Sequence, residues 1–286
     1  ATAKNITSTQ LEQVYGVTDS DNPFFDKLEF AFGRLNPGET RSWEVKIKLP
    51  AGLGSRSDLI NFKIGDRGGL GSNILASAFA KVTSQDKPHF AYQYQLDDRS
   101  GGNGDGLLQV GEKVRLKIRV SNIGMGSGGE VMVTAKNMSG SSMFLKVGRA
   151  SLGKLKAGES KVGHLDFKVS ESPKDGPVKI RLGIWDSELG ASLNEVVSMP
   201  VTKGLKGQKE SRNVVVTGGK SVSVHTAASD TSSIMGTLAA GSVVRSEAAF
   251  GKGFRRVRFG DGFGFVSFAG VKPRKAKVTK KPMSWN

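Results

Sequence analysis

The chain of 286 residues has no cysteine, 9 prolines, 3 tryptophans, 3 tyrosines and 3 histidines. Without cysteine there is neither a disulfide nor a thiolate metal site, and that absence leaves the compartment open. No apolar run approaches the roughly 18 residues that a membrane-crossing helix needs. The opening residues Ala1-Thr2-Ala3-Lys4-Asn5 hold neither a methionine nor the apolar stretch of a signal peptide, as in a mature secreted protein or an excised fragment. His89, His164 and His225 are at least 61 residues apart, and none has a partner carboxylate that the sequence vouches for, so no triad or histidine metal site is expected. Gly68-Gly69-Leu70-Gly71 does not lead into a helix opening on Lys-Ser/Thr, which argues against a phosphate loop. No catalytic constellation is predicted, and the chain is not expected to be an enzyme.

What is present is a repeat. Phe32-Gly33-Arg34-Leu35-Asn36-Pro37-Gly38-Glu39-Thr40 aligns with Leu152-Gly153-Lys154-Leu155-Lys156-Ala157-Gly158-Glu159-Ser160, a spacing of 120 residues. The register persists to Asn61-Phe62-Lys63-Ile64-Gly65-Asp66 against Arg181-Leu182-Gly183-Ile184-Trp185-Asp186. A period this long means duplicated domains rather than a solenoid. Each copy alternates short apolar runs with Pro, Gly and Asn turns, the pattern of a small β-sandwich. Strands are predicted at Gln13–Thr18, Lys27–Phe32, Arg41–Leu49, Leu59–Gly65 and Ile74–Val82, with Trp43-Glu44-Val45-Lys46-Ile47-Lys48-Leu49 alternating as a half-buried strand should. Its counterpart is Lys161 to Val169. Gly38 and Gly158 stand where a tight turn needs positive φ. Ser151-Leu152-Gly153-Lys154 has Ser-x-x-Lys spacing, but it lies on the repeat turn, which explains it structurally.

In the second copy the strands His89–Leu96 and Lys113–Val120 precede Ser121-Asn122, which aligns with Lys4-Asn5. The first copy lacks that lead-in. The expectation is that residue 1 lies inside a domain begun by a longer polypeptide, or that a partner chain donates the strand. Lys203 to Glu210 is polar, lysine-rich and without periodicity, which reads as a linker. Six short strands follow, near Asn213–Val216, Ser221–Val224, Ile234–Leu238, Val243–Ala248, Phe254–Phe259 and Gly262–Phe268, as in a small barrel.

Val222-Ser223-Val224-His225-Thr226-Ala227-Ala228-Ser229, Ile234-Met235-Gly236-Thr237-Leu238-Ala239-Ala240-Gly241, Phe254-Arg255-Arg256-Val257-Arg258 and Gly262-Phe263-Gly264-Phe265-Val266 resemble, in order and spacing, a bacterial SH3-like domain over 213–272. Such domains often dock on cell-wall peptides or sister domains. Phe254, Phe263 and Phe265 replace the family's usual Trp and Tyr; they can stack but not donate a hydrogen bond, and the alternative is that they are barrel core, since alternate positions of so small a barrel point inward. Leu35-Asn36-Pro37-Gly38-Glu39, the following Val45-Lys46-Ile47-Lys48-Leu49-Pro50 and the late Ile64-Gly65-Asp66 and Ile184-Trp185-Asp186 resemble cell-adhesion-type immunoglobulin-like modules of bacterial envelope proteins. Two such modules ahead of an SH3-like barrel are similar to the C-terminal accessory region of secreted carboxy-terminal processing (tail-specific) serine proteases. The resemblance implies an exported, periplasmic or surface location and carries over no catalytic residue.

The expected organisation is all-β: an incomplete immunoglobulin-like sandwich (1–84), a complete one (85–204), a linker (205–212), an SH3-like barrel (213–273) and a basic tail or lead to a further domain (274–286). Asp97-Asp98-Arg99-Ser100-Gly101-Gly102-Asn103-Gly104-Asp105-Gly106, with Glu112 beyond, partly fits a calcium loop. Asn103, Asp105, Gly106 and Glu112 take its third, fifth, sixth and twelfth positions, but Gly101 stands where the first carboxylate belongs. Asp97, or else Asp98, would have to fold back to supply it; the alternative is an Asx-rich loop before a strand. Residues 201–286 hold 16 of the 42 Lys and Arg but only 4 of the 26 Asp and Glu, so most of the net +16 lies there. Arg255, Arg256 and Arg258, with Phe254, Phe263 and Phe265, are the candidate ligand-binding face, and Lys272, Arg274, Lys275, Lys277, Lys280 and Lys281 form a basic tail. Such a field attracts anionic envelope polymers. The alternative is nucleic acid bound by interleaved Arg and Phe.

Overall fold

Whether an alternating segment becomes a strand depends on a neighbour to pair with, and the two copies of the repeat show both outcomes. The computed structural model describes residues 1–67, 69–174, 176–251 and 253–274, with backbone alone for 69–75. The tail lysines Lys275, Lys277, Lys280 and Lys281 and the glycine Gly68 lie outside the described residues. The architecture is all-β, with antiparallel sheets, none closed, and no α-helix among the described residues. No described helix is long and apolar enough to cross a membrane. The chain separates into two compact units, residues 1–86 and 87–286.

The first unit contains β1 (Thr2–Lys4), β2 (Leu11–Asp19), β3 (Glu29–Leu35), β4 (Thr40–Ser42), β5 (Arg56–Asp66) and β6 (Gly69–Val82). They form one sheet in the order β3-β2-β5-β6 and a two-stranded ribbon of β1 and β4. Ala3, Val14, Phe32 and Leu35 are its buried core.

The second unit begins with β7 (Phe90–Asp97), β8 (Lys113–Asn122), β9 (Gly128–Asn137), β10 (Met143–Val147), β11 (Arg149–Leu155), β12 (Ser160–Val169), β13 (Val178–Asp186) and β14 (Ser192–Met199). Two four-stranded sheets, β10-β12-β8-β7 and β11-β9-β13-β14, enclose one core, with Ile118, Leu116, Val133, Phe167, Ile180 and Ile184 among its members. The order β11-β9-β13-β14 reproduces β3-β2-β5-β6 of the first unit.

The duplication extends to single hydrogen bonds. Asn5 Nδ2 donates to the carbonyls of Leu35 (2.9 Å) and Thr9 (2.8 Å), and Asn122 Nδ2 donates to those of Leu155 (3.2 Å) and Gly126 (2.7 Å). Gly38 N reaches Asn5 O and Gly158 N reaches Asn122 O, both at 2.8 Å. Glu39 and Glu159 each accept from the amide three residues earlier, Asn36 N (2.9 Å) and Lys156 N (2.8 Å). Both turn glycines have the predicted positive φ, 78° and 75°.

Arg41–Leu49 was expected to be one strand, and here the structure differs: regular pairing stops at Ser42. In the second copy, β12 pairs with β8 from Ser160 to Lys168. In the first, the strand beside β4 among the described residues is the three-residue β1, from Thr2↔Ser42 to Lys4↔Thr40. Beyond Trp43, whose amide still reaches Ala1 O (2.9 Å), residues 44–49 pair with no strand among the described residues.

After β14 come β15 (Gly207–Val216), β16 (Val222–His225), β17 (Ile234–Leu238), β18 (Val243–Phe250), β19 (Phe254–Phe259), β20 (Gly262–Ser267) and β21 (Val271–Arg274). They form one open seven-stranded sheet, β17-β16-β20-β19-β18-β15-β21. Residues 207–212, expected within the linker, are instead the first half of β15, where Gly207, Gln208 and Lys209 pair with Phe250, Ala249 and Ala248. A valine-rich core including Val214, Val224, Val257, Phe259 and Val266 lies on one face, and a phenylalanine cluster of Phe250, Phe254, Phe263 and Phe265 on the other.

Candidate functional site

Residues 98–112 join β7 to β8, and their polar side chains are consumed in shaping the loop. Asp98 is 0% exposed. Its Oδ2 accepts from the amides of Gly104 (2.6 Å) and Asp105 (3.2 Å), and its Oδ1 from Gly106 N (3.0 Å). Asp105 accepts from Leu107 N (2.8 Å) and from Leu205 N (2.7 Å), which ties the loop to the segment leading into β15. Glu112 accepts from Asn103 N (3.2 Å) and Gln109 N (3.0 Å). Burial, reinforced by the charges of Asp98 and Asp105, outweighs these two bonds and pushes the Glu112 pKa up to about 7. Burial also raises that of Asp98.

Of the four candidate calcium ligands, Asn103, Asp105 and Glu112 gather in this loop. Asp97 does not join them: it pairs with Arg99 and Lys117, each at 2.8 Å. Burial opposes its ionisation, but the hydrogen bonds and charges of the two cations hold its carboxyl well below the usual range. Asp98 takes the inward place instead. Its oxygens already face backbone N–H groups, and among the described residues no group of three or more His, Cys, Asp or Glu is placed to hold a metal ion.

The candidate ligand-binding face is built into the same loop. Phe263 and Phe265 are fully buried and Phe254 nearly so. Arg99 lies over the Phe263 ring at 4.2 Å and Lys117 at 5.0 Å. Arg256 Nη1 donates to Gly104 O (2.8 Å), and Gln95 Nε2 donates to Phe263 O (3.0 Å). Ala228 N donates to Asp105 O (2.8 Å). Gly106 has φ +74°, and a Cβ there would sit 2.9 Å from Phe265 Cε2, so the backbone approaches the ring as only glycine permits. Burial, with Arg99 nearby, lowers the Arg256 pKa. The aromatic face thus seats the C-terminal sheet on the second sandwich.

Arg255 and Arg258 do not join this seam. Arg255 pairs with Glu210, a half-buried residue whose side chain is largely covered, and lies over Phe268 (4.4 Å), while exposed Arg258 pairs with Glu247 (2.9 Å). Sequence reasoning missed Gln95, Arg99, Lys117 and Glu210, because their roles depend on contacts more than 40 residues away or on a strand read as linker. The one available signal was Arg99 beside the Asp-rich run. His225 sets its ring edge against Phe254 (5.7 Å), and His164 lies on the outer face of β12, where burial, then Arg115 and Lys117, lower its pKa.

Beside the seam is an open cleft of about 500 Å³ lined by Arg99, Arg115, Lys117, Arg119, His164 and Asp261. Arg115, Lys117 and Arg119 come from alternate outward positions of β8, about 7 Å apart, and Arg99 from the loop after β7. Asp97 and Asp166 balance part of that charge. Compared with protein-family models and with curated proteins, the chain matches none.

Proposed function

We propose that the chain is a non-catalytic interaction scaffold of an exported cell-envelope protein. It comprises two immunoglobulin-like modules, the first open on one side, and an SH3-like module, and it positions or regulates a carboxy-terminal processing serine protease. The observation that supports a scaffold is the seam. Phe263 and Phe265, which would bind a ligand in a free SH3-like module, are buried on the sister module, and half-buried Arg256 is bonded to its loop at Gly104 O. The protease association rests on the turn motifs and module order given above. Anionic envelope polymers would enter the cationic cleft on β8 rather than the Phe-Arg face. The stacking route to nucleic acid loses its support, because the phenylalanines that would stack on bases are buried.

Retention of the full chain on an insoluble cell-wall fraction, on heparin and on duplex DNA tests this reading. The expected result is wall binding that survives about 0.3 M salt after DNA has eluted, and that weakens in Arg119→Ser. Co-elution from all three, or DNA eluting last, overturns it.

A further inference from the structure

The two repeated sheets differ at the centre of their outer faces. In the first copy the outward positions of β5 are satisfied within the sheet: Asn61 accepts from Ser77 Oγ (2.8 Å), and Lys63 Nζ donates to Asp19 (2.7 Å). The repeat aligns Asn61, Lys63 and Gly65 with Arg181, Gly183 and Trp185 of β13. The second copy therefore loses the side chain at the middle position and gains an aromatic ring beside it. Trp185 is 39% exposed.

Gly183 sits in the interior of a central strand, opposite Thr134 of β9 and Asn194 of β14. Its φ is not positive, so the backbone does not demand glycine there, and a glycine inside a strand weakens it. A Cβ at this place would meet Thr134 Oγ1 at 2.8 Å and Asn194 Oδ1 at 3.1 Å. Thr134 Oγ1 donates to Gly183 O (3.3 Å), which leaves the hydroxyl oxygen able to accept. The result is a hollow of about 410 Å³ walled by Met132, Thr134, Arg149, Arg181, Trp185 and Asn194. Arg181 and Trp185 flank Gly183 along the strand, each about 7 Å away, and Arg149 is opposite Thr134. Lys136 adds a third cation beside Arg181. No acidic side chain lines the hollow, and the side chains of Lys136, Arg149 and Arg181 have no ionic or hydrogen-bonding partner among the described residues. Arg115, on the other sheet, is by contrast paired with Asp166.

We propose that this hollow is a binding site for an acidic sugar, a pyranose ring that carries a carboxylate or a sulfate. The apolar face of the ring covers the exposed indole of Trp185. The oxyanion pairs with Arg181 or Arg149, whose planar guanidinium offers two parallel N–H donors. The Thr134 hydroxyl and the Asn194 amide meet the ring hydroxyls, and the absent side chain at Gly183 lets the ring approach the sheet. A nucleic-acid track would call for successive aromatic platforms between its cations, and no second aromatic lines the hollow. The site is on the sheet that faces away from the β8 cleft, and it does not rest on the function proposed above.

The test uses the full chain carrying Trp43→Phe and Trp285→Phe, which leaves Trp185 as its sole tryptophan. Emission is followed as a short oligogalacturonate, a sulfated malto-oligosaccharide, the neutral malto-oligosaccharide or sodium sulfate is added. At least one acidic sugar is expected to shift Trp185 emission and shield the ring from iodide, and a response to one alone identifies the anionic group. The neutral sugar and sulfate ion should do neither. Arg181→Gln, at an exposed position, should weaken binding about tenfold. Gly183→Lys, which restores the residue of the first copy, should abolish it, whereas Lys63→Gln on the first unit leaves it intact. Because the signal is local to Trp185, binding in the β8 cleft does not mimic it. Unchanged emission up to about 10 mM of both acidic sugars, an equal response to the neutral sugar or to sulfate alone, or full affinity in Arg181→Gln overturns the proposal. So does tighter binding of a single-stranded oligonucleotide, because a base would then be the natural partner of the indole.

Discussion

The two copies of the repeat share their turn hydrogen bonds and the order of one sheet, yet differ in what that sheet packs against. In the second copy a complete opposing sheet buries Ile180, Leu182 and Ile184; in the first, a three-residue ribbon leaves Ile60, Phe62 and Ile64 half-open. The turn is therefore a local property of Asn, Gly and Glu, and the strand after it is not. Glu44-Val45-Lys46-Ile47-Lys48-Leu49 alternates as well, but it pairs with no strand among the described residues. Pattern supplies a surface to bury, and pairing depends on a neighbour.

Truncation of a core side chain is the sharpest way to break the comparison. Phe167→Ala should cost about 3–5 kcal/mol, and its counterpart Ile47→Ala under about 1 kcal/mol, because Ile47 is already partly in water. Denaturant melts read by hydrogen exchange in each unit would measure both, and equal costs would refute that difference in burial.

The next effect concerns pH, and it belongs to the second unit alone. Glu112 has a folded pKa of about 7, above the usual 4.5. The folded state therefore binds the extra proton, so this stability is fully present below about pH 4.5 and is lost as pH rises through 7, up to about 3 kcal/mol in all. Stability of the second unit at pH 5 against pH 8 should show the loss, and Glu112→Gln should flatten it. Millimolar calcium should leave the slope in place; its disappearance would show the loop accepting the ion with ionised carboxylates.

The shared turn gives a matched pair of moderate effects. Asn5→Ala and Asn122→Ala each remove two donated bonds and two accepted ones at a buried site, for about 2 kcal/mol apiece. Similar losses would show that the turn is independent of the strand beyond it. The smallest expected effect is at Asp166, whose hydrogen bond and charge partner Arg115 lower its pKa. That stability is present above the unfolded value near 4 and lost as pH falls through the folded one. The pair is largely exposed, so Asp166→Asn should change the acid limb by under about 1 kcal/mol. Lys46 holds the same position in the first copy and has no such limb.

The all-β class, the repeat and most strand positions were readable from alternation, turn residues and the 120-residue register. The strand at 207–212 was not, because Gln208, Lys209 and Glu210 lack alternation; β18 holds the strand, and Glu210 pairs with Arg255. In the site, Asn103, Asp105 and Glu112 lie in one loop, where Glu112 accepts from Asn103 N and Asn103 Nδ2 donates to Asp105. The sequence left Asp97 and Asp98 as alternatives; which of them turns inward was unreadable, since Asp97 is held by Lys117, 20 residues along the chain and on the adjacent strand. The phenylalanines were legible as an aromatic cluster but not as a seam, because the loop that covers them is remote in sequence.

The same strand has a mechanical consequence. With Thr202 bonded to Leu108, Leu205 to Asp105 and Gly207 already in a ladder, almost no slack separates the second sandwich from the C-terminal sheet. A pull on that sheet would reach the sandwich without a tether to stretch first. The second unit should act as one stiff lever, and its first rupture under force should require shearing the β15–β18 ladder and tearing Phe263 from beneath Arg99.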